Sequence, residues 1–267
     1  MVTAAAALDT GKYTPDSQIS GKNNKVISGV PLQNFGGENF ASISLTDALT
    51  KSVNTVFGEI GEKLGKRTMY KYMKRFGFNQ GPPLQYPPSQ IAASGVYNDR
   101  GRLLNEGDPV DIGRVSIGQE RLKVTPLQMA MVASAVANGG KLMKPRLVEK
   151  VLDPDGRTVS SYSPEEEATV ISQQAAGELS QMMTKVVQSG TGTAAALQGI
   201  QVAGKTGTAE VANGAANQAW FIAFAPVKDP KVAIAVTVER TTQSLTGGEV
   251  AAPIAKQVMQ TLLREGG

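Results

Sequence analysis

The chain has 267 residues, 27 Lys and Arg against 23 Asp and Glu for a net charge of +4, and neither Cys nor His. No Cys-His zinc site, Ser-His-Asp triad, cysteine nucleophile or imidazole base can be built from it, which leaves Ser, Thr, Lys, Tyr and carboxylates for any chemistry. The 41% hydrophobic content is ordinary for a globular chain with a sizeable core, and scattered basic residues without interleaved aromatics argue against nucleic acid.

Met1–Leu8 is apolar and alanine-rich, lacks a basic leader and runs straight into Asp9. It reads as the remainder of a helix stopped by Gly11, not as a signal peptide, so the chain is expected to be a fragment. No run of about 20 apolar residues is present to span a membrane. Residues 12–43, rich in Gly, Asn, Ser and Pro, read as irregular surface structure. Ser44 with Asp47 resembles a capping box with Asp in the Glu position, and apolar residues at 45, 49, 53, 56, 57, 60 and 64 keep a helical period. Ser52 and Asn54 interrupt that period. Both bond readily to nearby backbone, so they predict a break between two helices. Gly65 is a C-cap, and a second helix runs over Thr68–Phe76 to Gly77. Residues 79–113 are a long Gly- and Pro-rich loop. Thr125 caps the next helix, with Pro126 at its first position and Gly139-Gly140 closing it. Pro145–Asp153 reads as a strand turned back through Asp153-Pro-Asp-Gly156 onto Val159. Ser172 caps a helix that ends in Ser189-Gly190-Thr191-Gly192. Strands at 200–211, 218–225 and 231–239 follow, joined closely enough to pair antiparallel, and a helix over 250–263 ends the chain. The plan is one α+β domain over 1–267: an antiparallel sheet built late, helices on its faces and a helical subdomain before it.

The strand-forming run over 200–211 contains the chemistry. Lys205, Thr206, Gly207 and Thr208 lie on one strand, flanked by Gly204. A cation, two hydroxyls and a residue without a side chain can hold a carboxylate and offer a backbone N–H to an oxyanion. The plain alternative is a strand edge with a surface lysine and a packing glycine. For Ser52-Val53-Asn54 it is two polar residues between helices. Ser189–Thr193 superficially resembles a phosphate loop but lacks the Gly-Lys-Ser/Thr ending and opens no helix, so it reads as a turn. Asp108 and Asp111 are too isolated for a metal site or a carboxylate pair, and no metal or cofactor is expected.

Taken with Ser116-Ile-Gly-Gln119, Thr125-Pro-Leu-Gln128, Asn138-Gly-Gly140, Gly190-Thr-Gly192 and Ala219-Trp-Phe-Ile222, these motifs resemble the transpeptidase domain of class B penicillin-binding proteins, whose signature combines S-x-x-K, S-x-N and K-T-G. The resemblance covers essentially the whole chain. It departs from the pattern at Glu120, where glycine is usual. It implies a penicillin-binding protein/β-lactamase-like fold and serine acyl transfer that crosslinks peptidoglycan stem peptides ending in D-Ala-D-Ala, with β-lactams as ligands and no cofactor. It further implies that Ser52 relays protons, Asn54 bonds the substrate amide and Lys205 supplies charge and positions Ser52. Thr206 and Thr208 would hold the terminal carboxylate, the Thr208 N–H would serve the oxyanion and Gly207 would leave room for the substrate. The nucleophile and its lysine have no match. Counting back from Ala7-Leu8 and Gly11 places that lysine immediately before Met1 and the serine three residues earlier, so the chain as it stands is expected to be inactive. The alternatives are a non-catalytic peptidoglycan- or β-lactam-binding homologue and a β-lactamase. The resemblance also implies a parent protein anchored at the extracytoplasmic face of a bacterial membrane, working with division or elongation partners.

Overall fold

A computed structural model describes residues 1–210, 217–241 and 245–265. Helix α1 spans Val2–Asp9, with Thr3 to Leu8 all buried. Four short strands follow, β1 (Gln18–Gly21), β2 (Lys25–Ile27), β3 (Val30–Leu32) and β4 (Phe40–Ser44), paired antiparallel as β1 with β4 and β2 with β3. Helices α2 (Leu45–Thr50), α3 (Asn54–Leu64) and α4 (Lys66–Arg75) come next. Ser44 caps α2 by accepting from the Asp47 N–H at 3.0 Å, while its own hydroxyl donates to the Asp47 carboxylate at 2.8 Å. Gly65, at φ +82°, separates α3 from α4.

The long loop carries β5 (Gly95–Val96), helix α5 (Ile112–Ser116) and β6 (Leu122–Lys123). Then come α6 (Pro126–Ala137), β7 (Lys141–Met143), β8 (Lys150–Leu152), β9 (Thr158–Ser161), β10 (Glu166–Thr169) and α7 (Gln173–Ser189). Strand β7 pairs with β10, and β8 with β9. The expected strand over Pro145–Asp153 shrinks to β8: Pro145 has no N–H to donate, and the residues beside it are held by side chains, with Arg146 bonded to the Glu165 carboxylate at 3.1 Å. Helix α5, at five residues, is too short to leave a periodic signal.

The principal sheet has the order β11-β12-β13, from β11 (Ala203–Glu210), β12 (Asn217–Ala225) and β13 (Val232–Thr241). Its antiparallel register pairs Lys205 with Ile222 and Gly207 with Trp220. The expected end at Val211 lies outside the described residues. A π-type turn at Gly247–Ala251 leads into α8 (Ala252–Glu265).

Period-two alternation divides the sheet between two cores. Ala203, Ile222 and Phe224 face the larger core, which is shared with α1, α3, α6 and α7. Phe221, Ala223 and Ala225 face a smaller one formed with Ala252, Ala255 and Met259 of α8. Phe221 and Phe224 are fully buried, and burial of such side chains stabilises by about 1.5–3 kcal/mol each. Helix α1 is threaded through the larger core. Ala4 to Ala7 are all 0% exposed, and their small side chains let α3, α4 and α7 approach its axis closely. Its ends are tied down by polar contacts. Thr3 donates to the Ser116 carbonyl at 2.7 Å, and Asp9 accepts from the Tyr72 hydroxyl at 2.6 Å and the Ser172 N–H at 2.7 Å.

Candidate active site

The break expected at Ser52 is present and has a defined geometry. After Lys51 the backbone turns left-handed at Ser52, φ +58°. The Ser52 N–H returns to the Leu49 carbonyl at 3.2 Å and the Val53 N–H to the Ala48 carbonyl at 2.9 Å. This is a Schellman stop, in which glycine normally takes the left-handed position. A serine there costs about 1–2 kcal/mol of backbone strain. Its effect is to point a hydroxyl out of the joint between α2 and α3.

Asn54 opens α3, and its amide donates to the Gln33 carbonyl at 3.0 Å. The cap residue Val53 has no side-chain acceptor for the free N–H groups of the first turn. Buried Asn34 supplies one from a distance: its Oδ1 accepts from the Thr55 N–H at 3.0 Å, while its Nδ2 donates to the Gly21 and Glu38 carbonyls at 2.9 Å each. Sequence reasoning missed Asn34, because a remote cap leaves no local spacing signal.

Strand β11 lies at the edge of the principal sheet, so among the described residues one side of its backbone faces no other strand. Lys205 shares the sheet face of Ala203. Its Nζ donates to Ser52 Oγ at 2.7 Å and to the Thr206 carbonyl at 2.8 Å. Residues 153 positions apart in the chain thus form one hydrogen-bonded pair. Lys205 is half-buried, and burial pulls its pKa down to about 8.

Thr206 and Thr208 alternate onto the opposite face from Lys205. Thr206 Oγ1 lies 2.6 Å from Thr191 Oγ1, and Thr208 Oγ1 accepts from the Gly247 N–H at 3.3 Å. A Cβ at Gly207 would lie 3.2 Å from Trp220 Cβ, so the space beside this glycine is bounded by its cross-strand partner. Ser52, Lys205 and Thr206 are therefore linked by direct contacts, while Asn54 sits one turn of chain from Ser52 with its amide held by Gln33.

The carboxylates stand apart. Asp108 is bonded by Arg102 at 2.7 Å, Asp111 caps α5 through the Arg114 N–H at 3.0 Å, and no group of three metal-ligating side chains occurs among the described residues. Glu120 has φ +65°, a conformation that favours glycine, and its carboxylate pairs with Arg121 at 3.2 Å.

A hydroxyl on a strained turn, hydrogen-bonded to a desolvated lysine on an edge strand beside two threonines, is an arrangement suited to acyl transfer. The comparisons with known proteins agree with that class. The family model for the penicillin binding protein transpeptidase domain matches residues 1–260. The chain is 39% identical to the peptidoglycan D,D-transpeptidase PbpA of Mycolicibacterium smegmatis, over 100% of this chain and 54% of that protein. It is 32% identical to the stage V sporulation protein D of Bacillus subtilis, over 99% and 41%. Its fold superposes on a ceftriaxone acyl-enzyme complex of penicillin-binding protein A from M. tuberculosis with a TM-score of 0.87 at 34% identity, covering 98% of this chain and 59% of that one. A D,D-transpeptidase domain from Eggerthella lenta gives 0.86 at 32%, covering 100% and 64%. The chain belongs to the penicillin-binding protein transpeptidase family, and it spans about half the length of the curated relatives it matches.

Proposed function

We propose that this chain is the greater part of a D,D-transpeptidase domain that crosslinks peptidoglycan stem peptides by serine acyl transfer, with the nucleophilic serine and its lysine lying directly before Met1 in the parent protein. The observation that carries the reading is the 2.7 Å bond between Lys205 Nζ and Ser52 Oγ.

In this reaction the upstream serine Oγ attacks the carbonyl carbon between the two terminal D-alanines, passing its proton to the upstream lysine. The negative charge that develops on the carbonyl oxygen is met by the Thr208 N–H, a contact of a kind worth about 3–4 kcal/mol in other acyl-transfer enzymes. The C–N bond breaks as Ser52 relays the proton held by the upstream lysine to the leaving D-alanine amine; the amine of a second stem peptide then attacks the acyl carbon, and its proton returns to the serine oxygen as the ester bond breaks. Thr206 and Thr208 hold the substrate carboxylate, Asn54 bonds its amide and Gly207 keeps the strand edge approachable. β-Lactams enter by the same route, and the ceftriaxone, imipenem and penicillin G acyl-enzyme complexes of the M. tuberculosis relative support this. The parent would work at the extracytoplasmic face of a bacterial membrane with division or elongation partners.

Labelling with a fluorescent penicillin on a denaturing gel tests the reading. The parent protein should carry a covalent adduct and residues 1–267 alone should not. An unlabelled parent that still binds penicillin reversibly would establish the non-catalytic binding homologue instead.

A further inference from the structure

The turn after α7, plain in sequence, holds the candidate site together through one residue. Thr191 makes contacts in three directions. Its N–H donates to the Thr50 carbonyl at 3.2 Å. That oxygen belongs to the last turn of α2, where helical carbonyls lack partners, two residues before Ser52. Its hydroxyl lies 2.6 Å from that of Thr206 on β11. Its own carbonyl lies against Gly248, where an added Cβ would overlap it. The neighbours are cut to allow this approach. A Cβ at Gly190 would overlap the same Thr50 carbonyl and come within 2.7 Å of Thr50 Cγ2.

A residue serving only to end α7 has no need of these contacts. Gly190 and Gly192 already close the helix, each donating its N–H to the Val186 carbonyl, at 3.1 and 3.0 Å. The Thr191 hydroxyl instead reaches across to the edge strand. The chemistry of the pair follows from proton count. Each hydroxyl has one proton, and only one of the two can lie between the oxygens. If Thr191 donates, the proton of Thr206 is free for an anion, and the donated bond polarises it further.

We propose that Thr191 is a positioning residue: it fixes the Ser52 turn relative to β11 and orients the Thr206 hydroxyl as a donor to the substrate carboxylate. The proposal rests on the assignment of Thr206 to carboxylate binding. It adds a role for a residue 15 positions upstream of Thr206.

The test uses the parent protein with two variants, Thr191→Val, which keeps the shape and removes the hydroxyl, and Thr191→Ser, which keeps the hydroxyl. Acylation by penicillin G is resolved into pre-covalent affinity and the covalent step. Reversible binding of an acyl-D-Ala-D-Ala peptide is measured alongside by calorimetry. The oriented hydroxyl donates to a charged group, so Thr191→Val should weaken pre-covalent affinity and peptide binding about tenfold or more. Melting temperature should change little, and Thr191→Ser should return affinity to within about twofold. Unchanged affinity in Thr191→Val would overturn the proposal, as would an equal loss in Thr191→Ser, which would assign the effect to methyl packing. If the parent takes no acyl group at all, the transpeptidase reading fails, and the peptide-binding series still decides the role of Thr191.

Discussion

Two antiparallel edges of this molecule differ in what stands behind them. Strand β11 is an edge, but both faces of its sheet are packed against buried cores, and its polar residues are held by contacts from three separate segments. The β8–β9 hairpin is also an edge, yet Leu147, Val151, Leu152 and Val159 are 70%, 43%, 47% and 67% exposed. Its bonds are largely local, such as Arg157 to Asp155 at 2.9 Å. The first edge has position without freedom and the second has freedom without position. The lesson is that Lys205 can be placed to within a hydrogen bond of Ser52 only because the backbone beneath it cannot relax.

The largest break in this contrast comes from removing the cation. Lys205→Ala in the parent should slow acylation by at least about 10²-fold, because a fixed charge near a developing anion in a water-poor site contributes several kcal/mol. Stopped-flow labelling measures it. Since burial lowers the Lys205 pKa to about 8, the wild-type rate should fall above that pH, whereas Lys205→Arg, charged throughout, should keep a smaller rate without that limb. The stability consequence has a definite sign. A lysine held below its ordinary 10.5 leaves the unfolded chain with more bound protons between about pH 8 and 10.5, so stability should rise with pH across that window and the rise should disappear in Lys205→Ala.

Next comes the strained turn. Ser52→Gly should raise stability by about 1 kcal/mol by relieving the left-handed backbone, while acylation drops by about tenfold or more with the hydroxyl gone. Denaturant titration and labelling on one preparation show both. A loss of stability would mean that Ser52 is held for packing.

Glu120→Gly is the control for that variant. It relieves the same backbone conformation, φ +65°, at a residue whose carboxylate pairs with Arg121, and should stabilise by a few tenths to about 1 kcal/mol with acylation unchanged. The smallest effect belongs to the exposed hairpin. Leu152→Ser should shift stability by no more than about 0.5 kcal/mol and leave labelling untouched.

The contrast also governs what could be read before the structure. The three long strands, α6 with its Thr125 cap and Pro126, and the interruption at Ser52 are legible because period and capping are local signals. The match of K-T-G and S-x-N to the family is likewise a matter of short motifs. The contacts of Thr191 with Thr50 and Thr206, and of Asn34 with Thr55, are not legible: each joins separate segments of the chain, and nothing in the spacing of neighbours announces such a contact. Glu120 sits between these cases. Its departure from the family pattern is visible in sequence, but the reason glycine suits the position is a backbone angle.

The central claim is that Ser52 and Lys205 act as one hydrogen-bonded unit in acyl transfer, and a double-mutant cycle on the parent protein addresses it directly. Acylation by penicillin G is measured for wild type, Ser52→Ala, Lys205→Ala and the double variant, with melting temperatures to confirm folding. Groups that act as a unit are strongly non-additive, so the double variant should be about as slow as the slower single variant. Losses that simply multiply would contradict the claim and make the 2.7 Å bond a structural contact between two independent groups.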